Sequence, residues 1–241
     1  MTYPASRLLR QSGILGLLLS VVLGTLTQSA QASGCFVTRW IKSKIEKPVA
    51  RSYTPSNVYR SMESLPADLR RVAVLPLTAL GSGSDLQAGQ QSLQPVLIQE
   101  LTKAQRFEIV AVSAEKLRRW GGKTHWKAEE PFPAELLSKL REQYSCQAVI
   151  FAEVTQFQAY GPLQIGWRLK LIESRRGEIV WAADEVFDAG VPEVSTAATR
   201  FAKASQKQSD EELISEKLIL SSPRRFAEYT LQALFHTLPH R

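Results

Sequence analysis

The chain has 241 residues, 44% of them hydrophobic and 22% charged, with a formal charge of +7. That length and composition suit one domain of ordinary size with a real core and leave no room for a second full one. The basic excess is modest and spread out, with no Lys/Arg block interleaved with aromatics, which argues against nucleic acid as a partner.

Arg7 and Arg10 supply a positive start, and Ile14 to Leu26, "ILGLLLSVVLGTL", an apolar core. Such a core is too short for a permanent membrane span and reads as an export leader, residues 1–32. Two processing signals follow it. Ala30-Gln31-Ala32 fits the small-x-small cleavage rule, which would leave Ser33 first. Ala32-Ser33-Gly34-Cys35 is similar to a bacterial lipobox, which makes Cys35 a candidate for lipidation and a membrane tether. It departs from the lipobox pattern where Ala32 replaces the usual Leu. Both readings stay open.

Residues 33–68 read as a flexible linker, with Pro48, Pro55 and Pro66 and no sustained apolar period. Its start, Trp40 with Arg39, Lys42 and Lys44, has the composition of a solvated linker or of a segment resting on a bilayer. The two cysteines, Cys35 and Cys146, are too few for a Cys/His metal framework. They would pair in an oxidising compartment if Cys35 is free, whereas Cys146, just before "AVIFAEV", reads as a packed thiol.

The folded part, residues 69–241, begins at "RRVAVLPL", a strand pattern apolar on both faces. Leu86 to Gln105 places Leu93, Val96, Leu97 and Leu101 on one helical stripe, interrupted by Glu100. "RFEIVAV" reads as a second strand, and Ser113 caps a short helix stopped at Gly121-Gly122. After Trp126, Pro133 opens a helix carrying Leu136, Leu137, Leu140 and Tyr144. "CQAVIFAEVTQFQAY", "IGWRLKLIE" and "IVWAADEVF" then predict an antiparallel meander with one wet face, turned at Gly161-Pro162 and at Gly177. The tail predicts two closing helices. One carries Val191, Val194, Ala197, Ala198 and Phe201, and the other, opened by Ser222-Pro223, carries Ala227, Leu231, Leu234, Phe235 and Leu238.

Between Arg70 and Ala189 this order of strands and helices, ending in "RRGEIVWAADEVFDA", resembles the periplasmic domain shared by CsgG-like curli secretion lipoproteins, LpoB-like penicillin-binding-protein activators and the TolB amino-terminal domain. The resemblance implies a mixed α/β sheet with helices packed on one face and a role in envelope assembly through protein contacts. It brings no catalytic residue, cofactor or metal with it.

The residues suggest no reaction of their own. His125, His236 and His240 are the only histidines, and no HExxH, GxSxG or Walker pattern occurs. "GSGSD" lacks the lysine of a phosphate loop and reads as a loop entering a helix. Asp184, Glu185 and Asp188 cluster near a strand end, where carboxylates serve acid/base work or cation binding, or simply alternate outward. Arg224 and Arg225 lie at a helix start, where the macrodipole disfavours cations, and so are candidate partner-binding residues together with Phe235. The loops around Gly81 and Gly161 offer a second surface. These readings favour a non-enzymatic envelope accessory protein with an envelope protein as its partner. The alternatives are a subunit of a curli-like secretion pore, disfavoured by the short alternating stretches, and a periplasmic hydrolase, disfavoured by the missing constellation.

Overall fold

The computed structural model describes residues 53–127, 129–205 and 218–241. The leader, both processing signals, Cys35 and Trp40 lie outside the described residues. In chain order the elements are β1 (Val58–Arg60), β2 (Arg71–Val74), β3 (Thr78–Ala79), α1 (Ser84–Ala104), β4 (Glu108–Ala111), α2 (Ala114–Gly121), α3 (Ala134–Tyr144), β5 (Ala148–Gln158), β6 (Gln164–Glu173), β7 (Ile179–Asp188), α4 (Pro192–Ser205) and α5 (Pro223–Phe235). All seven strands join one mixed sheet in the order β1-β7-β6-β5-β2-β4, with β3 beside β5. The mixed α/β class with closing helices is as the sequence predicts.

At one end β4, β2 and β5 run parallel, with Val72 opposite Ile109 and Ala148. β2 and the first half of β5 are buried on both sides because two crossovers run in opposite directions across the sheet. The step from β2 to β4 carries α1, and the return from β4 to β5 carries α2 and α3. A fixed hand for both puts their helices on opposite faces. The core is therefore divided. Val72, Val74, Ile150 and Ala152 meet α1 and α5, while Ala73, Leu75, Val149 and Phe151 meet α2 and α3. The helical layer thus extends to the second face over the parallel strands, beyond the single face that the resemblance implied.

The other end is the expected meander. Trp167, Leu169 and Leu171 of β6 and Trp181, Ala183 and Phe187 of β7 point into the first core, and Arg168 and Lys170 point the other way. A bulge between Val154 and Gln156 breaks the β5–β6 register. Gly166 sits opposite, where an added Cβ would strike Thr155 Oγ1 and crowd the Gln156 nitrogen.

The closing helices cover the sheet. Ala227, Leu231, Leu234 and Phe235 of α5, with Leu238 just beyond, are all buried. Trp167 Nε1 donates to Thr230 Oγ1 at 2.9 Å and Trp181 Nε1 to Thr237 Oγ1 at 3.0 Å. The apolar stripe of α5 is thereby spent on the core. Ser222 Oγ caps this helix from Arg225 N–H and Pro223 fills its first turn, as expected.

The described part of the 33–68 segment is not a loose linker. Val58 to Arg60 pair antiparallel with Ala183 to Trp181 as the edge strand. Glu185 fixes the approach to it. Its Oε2 accepts from Ser56 N at 2.7 Å and Asn57 N at 3.1 Å, and its Oε1 accepts from Tyr53 Oη at 2.8 Å. Further on, Leu65 is buried and its N–H donates to the His240 carbonyl at 2.7 Å, so this segment also holds the chain end.

Candidate protein-binding groove

The clusters that tempt a catalytic reading are each accounted for by structural partners. Asp184 Oδ2 accepts from Arg168 Nε at 2.8 Å, Glu185 anchors Tyr53 to Asn57, and Asp188 accepts from Gly190 N at 2.7 Å and Gln164 Nε2 at 2.9 Å. Strand alternation explains their proximity. His125, His236 and His240 are exposed and lie in separate places, the α2–α3 connection, the end of α5 and the chain terminus. Among the described residues no group of three or more His, Cys, Asp or Glu is placed to hold a metal ion. "GSGSD" enters α1 with Gly81 at φ 103° and Gly83 before the first turn, an ordinary loop-to-helix passage.

Cys146 is fully buried, and burial pushes its thiol up to about 11, as expected for a packed side chain. Its pairing with Cys35 involves a residue outside the described ones.

One ionic cluster on the second face was missed in the sequence. Glu153 of β5 is buried, its Oε2 lies 3.7 Å from Arg168 Nη1, and its Oε1 has no hydrogen-bond partner among the described residues. Burial raises its pKa, opposed by Arg168 and Lys127. Arg168 also meets Glu129 at 2.5 Å, which ties the α2–α3 connection down over the sheet.

Of the candidate partner-binding residues, Phe235 is removed by the structure. It is 3% exposed and packs beside Trp181, with ring centroids 6.4 Å apart. A side chain spent on the core offers nothing to a partner. Arg224 and Arg225 are exposed, and with Lys103 and Phe201 they border a depression between the end of α4 and the start of α5. Arg224 lies 3.7 Å from Glu228. At the loops around Gly81 and Gly161, Leu80 and Tyr160 are exposed side chains.

A largely apolar opening lies along α5 and shares Phe201 with that depression. It is a groove of about 380 Å³ between α4, α5 and the Tyr53–Arg60 segment. Tyr229 and Ala233 of α5 and Ala197 and Phe201 of α4 line it, with Pro55 from the segment that Glu185 anchors. Phe201 and Tyr229 pack with ring centroids 5.9 Å apart, and Tyr53 packs edge-on to Phe187 at 5.4 Å, so the lining is held from below. Burial raises the Tyr229 hydroxyl to about 12, and its oxygen has no partner among the described residues. Arg60, Arg200, Gln232 and His236, all exposed, also line it, and no described residue of the lining is Asp or Glu.

The sequence held part of this. Ala197 and Phe201 were on the predicted stripe of α4, which the structure divides: Val194 and Ala198 face the core, and Ala197 and Phe201 face the groove. Tyr53, Arg60 and Tyr229 carried no such signal, since two lie in the supposed linker and the third is brought to them only by the fold.

No family model matches the chain and no curated protein matches it. Solved structures do. The PelC dodecamer from Paraburkholderia phytofirmans is 15% identical with a TM-score of 0.40, over 76% of this chain and 97% of that one. Lipoprotein GNA1162 from Neisseria meningitidis is 15% identical with a TM-score of 0.35, over 49% and 79%. The LpoB C-terminal domain from Escherichia coli is 14% identical with a TM-score of 0.34, over 53% and 86%. At these identities and scores the likeness says nothing of partners or chemistry. Among the described residues no helix is long and apolar enough to cross a membrane.

Proposed function

We propose that this chain is a non-catalytic accessory or assembly protein of a bacterial cell envelope, exported and working by contact with another envelope protein. The observation that carries the reading is the pairing of an open, apolar-floored groove with the structural engagement of each candidate acid. Asp184, Glu185 and Asp188 hold the fold, while the half-buried Ala197, Phe201 and Ala233 keep part of their apolar surface open to the groove. The leader read from Arg7, Arg10 and Ile14 to Leu26 supports export, and the Cys35 or Ser33 start decides between a tethered and a diffusing form.

Fractionating expressing cells and weighing the mature chain tests this reading. The expected result is an envelope-associated chain beginning at Ser33, or at an acylated Cys35, that co-purifies with an envelope protein after mild detergent extraction. A cytoplasmic chain with its leader intact contradicts it.

A further inference from the structure

We propose that the outer rim of β1 takes an extended segment of a partner protein as an added strand, with alternate side chains of that segment falling into the groove along α5. This deepens the reading of a contact-making protein and rests on it for the partner being a protein.

The main chain of β1 sets the chemistry. Asp184 N–H donates to the Asn57 carbonyl and Ser61 N–H to the Val180 carbonyl, each at 3.1 Å, so alternate residues from Asn57 to Ser61 bond to β7. Tyr59, opposite Ala182, belongs to that series. Val58 and Arg60 lie between and turn their N–H and C=O groups away from the sheet. β1 is the last strand on this side, and these groups have no hydrogen-bond partner among the described residues. Two donors and two acceptors thus repeat at about 7 Å, the two-residue interval of an extended backbone. Another strand satisfies all four, which is recognition by β-strand addition.

The rim is held in place before anything binds. At its start Glu185 accepts from Ser56 N and Asn57 N. Beyond its end Leu65 N–H donates to the His240 carbonyl and His240 N–H to the Glu63 carbonyl. The register with β7 runs from Val58 to Arg60 without a bulge, and no proline interrupts it. A strand fixed at both ends loses little freedom when it pairs.

The side chains select the occupant. Val58 and Arg60 lie opposite Ala183 and Trp181, on the side of the sheet that carries the first core, and Tyr59 lies opposite Ala182 on the other side. Side chains of an added strand alternate between the same two sides. Those on the helix side enter the groove that Arg60 borders, where Ala197, Phe201 and Ala233 are half-buried. Those on the other side come beside Tyr59, which is 55% exposed. The occupant is therefore an extended segment with apolar residues at alternate positions toward the groove and a β-branched or aromatic residue beside Tyr59. Its recognition rests on main-chain bonds and apolar contact, with no demand on its charge.

The test is selection of short random peptides displayed on phage against the leader-free chain, followed by titration and residue-resolved amide hydrogen exchange with the enriched peptides. The expected winners carry Val, Ile, Leu, Phe or Tyr at alternate positions. Their binding slows exchange at Val58 and Arg60, which is fast in the free chain, while Tyr59 stays bonded to β7 in both states. Arg60→Pro removes an outward N–H without breaking a bond to β7, and the affinity of the winners falls by at least about tenfold. Arg60→Ala keeps that N–H and keeps the affinity. Winners with apolar residues at i, i+3 and i+4, no winners at all, full binding by Arg60→Pro, or an equal loss in both variants overturns the proposal. So does peptide protection at Ile109 and Ala111 of β4, the opposite edge of the sheet, in place of Val58 and Arg60. Slow exchange at Val58 and Arg60 before any peptide is added overturns it as well, because the rim is then already paired, by the chain itself or, where dilution restores fast exchange, by a second copy. The two readings fail separately. If Arg60→Pro retains the co-purifying envelope protein, the contact function stands and this rim is not its surface. If the chain is never exported, the envelope reading falls and the peptide result judges the rim alone.

Discussion

Trp167 Nε1 donates to Thr230 Oγ1 at 2.9 Å, across the interface of β6 and α5, with both residues fully buried. The bond fixes which face of α5 meets the sheet, and so which face carries Tyr229 and Ala233 toward the groove. Trp181 with Thr237 repeats the arrangement beyond the end of α5. The Thr230 and Thr237 hydroxyls donate in turn to the Ala227 and Leu234 carbonyls of α5. Thus a buried indole N–H is matched where the aliphatic stripe of the helix supplies no acceptor.

Thr230→Val keeps the volume and strands the Trp167 N–H. The expected loss is about 1–3 kcal/mol of unfolding free energy, read by urea denaturation. Adding Trp167→Phe to that variant removes the stranded donor, so the double change costs less than the sum of the two single ones. Additive losses would show that the bond contributes nothing of its own.

Glu153→Gln tests the ionic cluster on the second face. Burial raises the folded pKa of Glu153, so its contribution to stability is greatest below the ordinary carboxylate pKa and is lost as pH rises through the raised folded value. A glutamine does not follow that course. The variant should melt about 2–4 °C above the parent at pH 7, equivalent to about 1 kcal/mol in a chain of this size, with the gap closing below about pH 4. Arg168 keeps Asp184 and Glu129 as partners. A variant that melts lower at pH 7 would mean that attraction to Arg168 outweighs the cost of burial.

The fold was legible where local pattern and burial coincide. Val72 to Leu75 and Val149 to Phe151 are apolar on both faces because helices cover both, and the capped α2 and α5 announce themselves through Ser113 and Ser222. Edge strand β1 was illegible because three residues, Val-Tyr-Arg, carry no period. What orders them is Glu185, more than a hundred residues later. The groove was illegible for the same reason, drawing Tyr53, Phe201 and Tyr229 from three distant segments. Phe235 was misjudged because a helical stripe shows which residues share a face and not whether the sheet has already claimed it.

Gly89 makes a further check on packing. It lies in the second turn of α1, inside the helix, where replacing glycine by alanine ordinarily stabilises a helix by roughly 0.5–1 kcal/mol. Here an added Cβ would sit 2.6 Å from Phe157 Cγ, so the Phe157 ring must move. Gly89→Ala is expected to lower the melting temperature, and pairing it with Phe157→Ala should recover part of its own cost. A stabilised Gly89→Ala chain would mean that α1 stands farther from β5.

The most direct measurement of the central claim is in-cell photo-cross-linking from the groove. A benzophenone side chain placed at Gln232, on the groove lip, should give a discrete adduct with an envelope protein. The same group at Arg118, exposed on α2 over the opposite face, should give none. No adduct from Gln232, or an adduct from Arg118 alone, would contradict the assignment of contact to this face of the protein.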